Sequence, residues 1–93
     1  MIYTGGTNLL FAVIQRVAEM DGEANKVTFH PEPNSTKICF LFRTAPYGQV
    51  SIYLNRDNTV GYTLHDLNPS KHENCIVTDM AIDATRIYEH LIK

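Results

Sequence analysis

Residues 37–65, KICFLFRTAPYGQVSIYLNRDNTVGYTLH, decide the fold. Apolar and polar residues alternate through this stretch three times over. Ile38, Phe40 and Phe42 share one face of the first run, with Cys39, Leu41 and Arg43 on the other. Val50, Ile52 and Leu54 alternate with Ser51, Tyr53 and Asn55 in the second. Val60, Tyr62 and Leu64 alternate with Thr59, Gly61, Thr63 and His65 in the third. Successive side chains of a strand point to opposite faces, so each run reads as a half-buried β-strand. Their β-branched and aromatic content agrees.

The connections suit antiparallel neighbours. Arg56, Asp57 and Asn58 make a tight hairpin, because Asp and Asn bond their own backbone and tolerate a left-handed conformation. In residues 44–48, Pro46 presets one turn residue and Gly48 supplies positive φ. A connection this short leaves no room for a parallel crossover. Upstream, residues 26–30 form a possible edge strand with Val27 and Phe29 on one face, and Pro31 is expected to end its pairing.

Helices flank the sheet. Leu10, Val13, Ile14, Val17 and Met20 recur at helical spacing, with Phe11 and Ala18 widening the stripe. This predicts a helix over 8–21, capped by Thr7 or Asn8 and ended by Gly22. Its apolar circumference exceeds what one sheet contact requires, which implies deep burial or cover by a second subunit. Glu19, Asp21 and Glu23 cluster at its end and read as a solvated terminus. Met80, Ala84, Ile87 and Leu91 predict a second helix over 79–92, with Thr78 as N-cap and Asp79 and Asp83 at its positive end. Residues 66–74 are polar without periodicity and read as a surface loop.

The expected fold is α+β, in the order α-β-β-β-α. It is a two-layer sandwich in which both helices cover one face of a three- or four-stranded antiparallel sheet. The 93 residues make one domain, with 44% apolar residues, as in a globular chain. A net charge of −2, from 8 basic and 10 acidic residues, implies neither a nucleic-acid nor an anionic-membrane partner. Two cysteines cannot staple a secreted scaffold and read as buried free thiols. No apolar run is long enough to span a bilayer, and residues 9–14 lack the flanks of a signal peptide. A reducing cytoplasm is the expected setting.

The element order is similar to that of double-stranded-RNA-binding domains over about two-thirds of the chain. That family carries a Lys-rich run at the start of its second helix to contact phosphates. The corresponding stretch here, Thr78, Asp79, Met80 and Ala81, is acidic and holds no lysine. The RNA function is therefore not carried over.

No motif identifies an active site. His65, Asp66, His72, Cys75 and Asp79 are possible ligands, but their spacing matches no metal pattern, and no metal or other cofactor is expected. Cys75 with His72 or His65, or Cys39 with His30, would be needed for a thiolate nucleophile, and neither lies in a catalytic signature. Thr4, Gly5, Gly6 and Thr7 resemble a phosphate cradle but lack its Lys and preceding strand. His90 reads as a structural residue near a helix end.

The open sheet face is the best candidate. Tyr53 faces Gly61, which leaves room for its ring, and Leu41 and Cys39 add apolar area beside it. Arg43, Thr63 and His65 are expected to rim this patch. An apolar centre with a polar rim is how interaction surfaces are built, and Tyr and Arg are enriched at their hot spots. The expected function is a non-enzymatic interaction module, an adaptor or inhibitor, using the open face and the first helix. Its partner is a protein, including a second copy of itself. The alternative is a small-molecule or metal-binding module using residues 65–79.

Overall fold

A computed structural model describes residues 5–22, 27–32, 38–43, 48–67 and 69–92. Expectations for the leading arm, Glu23, Lys26, the loop at 33–35, residues 44–47 of the turn at 44–48 and Lys93 lie outside the described residues. Gly48, which is described, does not take the positive φ expected of it, and a Cβ there would instead stand 2.7 Å from the His65 carbonyl oxygen.

The order is α1 (Gly5–Asp21), β1 (Thr28–Pro31), β2 (Cys39–Arg43), β3 (Gln49–Leu54), β4 (Val60–Leu67), β5 (Ser70–Ile76) and α2 (Met80–Leu91). The strands form one antiparallel meander, β1-β2-β3-β4-β5. The class is α+β with two terminal helices, as the alternation predicts, and the sheet has five strands. It thereby departs from the three-strand order of the RNA-binding domains.

Register sorts the side chains as the sequence requires. Phe40, Ile52 and Tyr62 lie in one cross-strand row, and Phe42, Val50 and Leu64 in the next. These residues meet Leu10, Val13 and Val17 of α1 and Ala84, Ile87 and Leu91 of α2 in a single core, with Phe40 at its margin. Both helices therefore draw on the same sheet face. Truncating a buried residue such as Ile87 to Ala would cost about 2–5 kcal/mol. No helix among the described residues is long and apolar enough to cross a membrane.

The structure corrects several local expectations. Residues 66–67 and 70–74 are strand, not loop. β4 continues to Leu67, and Leu67 pairs with Ser70 as β5 turns back along it. Pro31 is the last residue of β1 but does not end its pairing, since it pairs with Phe40 and the Glu32 N–H beyond it donates to the Cys39 carbonyl at 2.7 Å. Backbone N–H groups alternate in direction along a strand. The missing donor of Pro31 therefore falls on the open edge, where it costs no ladder bond.

Helix α1 begins at Gly5, so Thr7 and Asn8 lie inside it. Gly6 is packed onto the β3–β4 turn, where a Cβ would stand 2.5 Å from the Asn58 carbonyl oxygen. The Gly-Gly pair thus permits a close helix–turn approach. At the far end Gly22 adopts φ +63°, the left-handed conformation expected of a terminating glycine. Leu9, Ile14 and Met20 pack against the core, which accounts for most of the apolar excess of α1. Phe11 is 49% exposed, with its ring edge-on to Phe40 at 5.7 Å.

In α2 the N-cap is Asp79, not Thr78. Its carboxylate accepts the Ala81 and Ile82 N–H groups. Asp83 reaches back to accept the Thr78 and Asp79 N–H groups at 2.9 and 3.1 Å. Two carboxylates thereby satisfy four donors at the start of this helix.

Candidate functional site

The sheet has a second face, and pairing arranges it in three rows, followed by the pair Leu67 and Ser70 on β4 and β5 alone. At one end Cys39, Tyr53, Gly61 and Ile76 align across β2 to β5. The middle row is His30, Leu41, Ser51, Thr63 and Asn74. The far row is Thr28, Arg43, Gln49, His65 and His72. The face thus runs from an apolar end through a mixed middle row to a row bearing Arg43 and two imidazoles, beyond which the Leu67–Ser70 pair presents a 56% exposed leucine. All five residues expected on this surface are on it: Leu41, Arg43, Tyr53, Thr63 and His65.

Their exposure differs from the expected centre and rim. Leu41 and Thr63, adjacent to Ser51 in the middle row, are only 6% and 7% exposed. Arg43 is exposed, and Tyr53 and His65 are half-buried. Thr63 is therefore a floor residue. Its hydroxyl donates to Asn74 Oδ1 at 2.8 Å. That uses its single proton, so the Tyr53 hydroxyl, 3.3 Å away, must donate to Thr63 Oγ1. This relay fixes the Tyr53 ring over Gly61, where a Cβ would come within 2.8 Å of the ring carbon bearing the hydroxyl. Ile76, at the end of the same row, is 49% exposed.

The imidazole end is equally organised. The His65 and His72 rings lie 6.2 Å apart across β4 and β5, and His65 Nε2 is 3.4 Å from Ser51 Oγ. Burial pushes the His65 pKa down, and the neighbouring His72 and His90 push it further. His90 approaches from α2. It is buried, its Nε2–H donates to the His65 carbonyl at 2.8 Å, and Asp66 Oδ1 lies 3.5 Å away. His90 is structural, as its sequence position suggests, through burial and a carbonyl bond more than through the helix end.

Strand alternation also decides which chemistry cannot assemble. His65 and His72 lie on the outer face, whereas Asp66 and Cys75 belong to the roofed face. Asp79 is occupied as a helix cap. Among the described residues no three His, Cys, Asp or Glu side chains converge as a metal site. The partners of Cys75 are Arg86 Nη1 at 3.8 Å and Glu73 Oε2 at 3.5 Å, not a histidine.

On the roofed face, Tyr62, Asp83, Arg86 and Glu73 form a polar chain. Tyr62 donates to Asp83 Oδ1 at 2.5 Å. Arg86 donates to the Tyr62 oxygen at 3.0 Å and to Glu73 at 3.0 Å. Burial and the Asp83 bond push the Tyr62 phenol well above its ordinary pKa, so it stays protonated. Past the end of this chain, a cleft of about 420 Å³ is lined by Leu64, Asp66, Lys71, His72, Glu73 and His90.

Three residues of the outer face were hidden in the sequence. His72, Asn74 and Ile76 belong to it only because β5 exists, and their polar setting carries no strand signal. Comparison with protein-family models, with curated proteins and with solved structures gave no match.

Proposed function

We propose that this chain is a non-enzymatic interaction module that binds a protein partner through the outer face of its sheet. The observation that supports this most is the row structure of that face. An apolar end built from Tyr53 and Ile76 lies about 13 Å along the strands from an Arg43–His65–His72 end. The mixed row of His30, Leu41, Ser51, Thr63 and Asn74 lies between them. An exposed, solvated strand face seldom holds an aromatic ring fixed by a side-chain relay.

The face is a better surface than the sheet edge. β5 carries Lys71, His72 and Glu73 in sequence, and such charges discourage edge-to-edge strand addition. α1 contributes less than its sequence implies, because its apolar side chains are largely used in the core. A second copy of the chain remains one form the partner takes in this proposal. The cytoplasmic setting belongs to the same proposal, and Cys39 and Cys75, on opposite faces of the sheet, are not joined to each other by a disulfide.

Affinity capture with the wild-type chain and two surface variants tests this. Ile76→Ser alters the outer face, and Ile82→Ser alters an exposed site on α2. The expected result is a captured protein, or a self-associated species seen by light scattering, lost with Ile76→Ser and kept with Ile82→Ser. Retention with Ile76→Ser and loss with Ile82→Ser would move the surface to α2.

The second reading is a small-molecule module. It is favoured by the cleft floored by Leu64 and His90 and walled by Asp66, Lys71 and Glu73. Native mass spectrometry of the purified chain would detect a retained ligand.

A further inference from the structure

The sheet ends in two edges of different chemistry. β1 closes with Pro31, whose missing donor falls on its open edge. β5 runs from Ser70 to Ile76 and holds no proline. The Val77 N–H donates inward to the Val60 carbonyl at 2.8 Å, and donors alternate in direction along an antiparallel strand. Ser70, His72 and Asn74 therefore turn their N–H and C=O groups outward. Every residue from Ser70 to Asn74 is exposed. The helices pack against β3 and β4, and α2 reaches β5 through Arg86, at Glu73.

The charges that discourage strand addition in general leave one register open. Directly opposite residues of an antiparallel pair share a face, and outward-bonding residues must meet outward-bonding residues. In a second copy related by a two-fold axis, even positions of β5 therefore face even ones, and odd positions odd ones. With the axis at His72, Lys71 stands opposite Glu73 in both halves of the pair, and Ser70 stands opposite Asn74. Moving the axis to residue 71 sets Lys71 against Lys71. Moving it to residue 73 sets Glu73 against Glu73. Opposite charges directly across a pair stabilise it and like charges destabilise it, so both neighbouring registers are disfavoured.

We propose that β5 pairs with β5 of a second copy of this chain in the register centred on His72, joining two sheets into one. Lys71 and Glu73 both lie on the roofed side, so the contact extends a row already present. Asp66 and Lys71 of one copy are followed by Glu73 of the second copy, which its own Arg86 holds at 3.0 Å. Charges alternate along that row. The roofs do not collide: α2 packs against β3, which leaves the two α2 helices on the order of 20 Å apart, wider than a helix diameter of about 10–12 Å. Pro31 on the far edge stops further strand addition, so association ends at two copies. The contact does not depend on a partner at the outer face.

The test uses the full chain at pH about 8, where an ordinary imidazole is neutral, so that the two His72 rings at the axis do not repel. Sedimentation equilibrium follows its mass from about 10 μM to about 1 mM. The expected result is a reversible monomer–dimer equilibrium. The His72 and Asn74 amides, fast to exchange in the dilute chain, should gain protection as the dimer fills. Lys71→Glu and Glu73→Lys alone should each weaken association about 10-fold or more, because each sets like charges opposite one another. An equimolar mixture of these two variants should restore association, because every opposed pair in the mixed dimer has opposite signs. Misfolded variants would not rescue each other in this way. Asn74→Pro, which removes an outward donor, should abolish the dimer. A monomer at every concentration, a mixture that associates no better than its components, or a dimer kept in Asn74→Pro would each overturn the proposal. Association lost in Ile76→Ser but indifferent to both charge variants would place the self-contact on the outer face and overturn it as well.

Discussion

The Tyr62 hydroxyl donates to Asp83 Oδ1 at 2.5 Å and so ties the middle of β4 to the first turn of α2. Asp83 is 5% exposed, yet its carboxylate stays ionised. Burial alone would raise its pKa. The bonds from Tyr62, Thr78 N–H and Asp79 N–H, aided by the Arg86 charge, outweigh that and hold it below the ordinary carboxylate range. Tyr62→Phe should cost about 1–3 kcal/mol in urea denaturation, because it removes the hydrogen bond donated to Asp83 and the one accepted from Arg86. Asp83→Ala should cost about 3 kcal/mol or more, because it orphans buried donors. A depressed carboxylate stabilises the fold above its unfolded pKa of about 4, and that contribution is lost as pH falls through its folded value. Wild-type stability should therefore drop below pH about 4 more steeply than that of Asp83→Asn.

His65 titrates in the opposite sense to a paired imidazole. Its folded pKa is depressed, so the neutral form stabilises the fold above the unfolded value of about 6.5, and this contribution is lost as pH falls below it. Proton NMR should place the His65 ring resonance midpoint below 6.5. His72→Gln should move that midpoint upward by removing one repulsive neighbour. A midpoint unaffected by His72→Gln would leave burial and His90 as the causes.

Gly61 should tolerate no side chain while Tyr53 is in place. Gly61→Ala should cost about 1–3 kcal/mol, as overpacking does. In a Tyr53→Ser background the same change should cost much less, and the coupling in a double-mutant cycle should exceed about 0.5 kcal/mol. Additive effects would mean that the ring does not rest on Gly61.

β5 makes a residue-by-residue prediction for hydrogen exchange. The Val77 N–H donates to the Val60 carbonyl at 2.8 Å, and donors alternate in direction along an antiparallel strand. The amides of Lys71, Glu73 and Cys75 should therefore be protected, and those of His72, Asn74 and Ile76 should exchange fast. Uniformly fast exchange over 70–76 would restore the loop reading. For the same reason Glu73→Pro should disrupt the hairpin more than Asn74→Pro.

That strand also shows where sequence reasoning runs out. β2, β3 and β4 were legible because one face of each is buried, so Phe40, Ile52 and Tyr62 stand out against polar neighbours. β5 is an edge strand, exposed at nearly every residue, and nothing forces its composition to alternate. Its position depends on pairs such as Thr63 with Asn74, which no local pattern announces. The outer-face residues on β2 to β4 were recoverable by parity alone. Their depths were not, because the burial of Leu41 and Thr63 depends on neighbours distant in sequence. Asp83 looked like a charge suited to a helix start, and its bond to Tyr62 required knowing that α2 crosses that part of the sheet.

Covalent footprinting of the free chain with a diffusible carbene tests most directly whether the sheet has one roofed face and one open face. The account predicts labelling of Arg43, His72 and Ile76, partial labelling of Tyr53, and none of Val50, Ile52 or Tyr62. Labelling of Tyr62 and Ile52 with Ile76 and His72 protected would contradict it, because the helices would then cover the wrong side of the sheet.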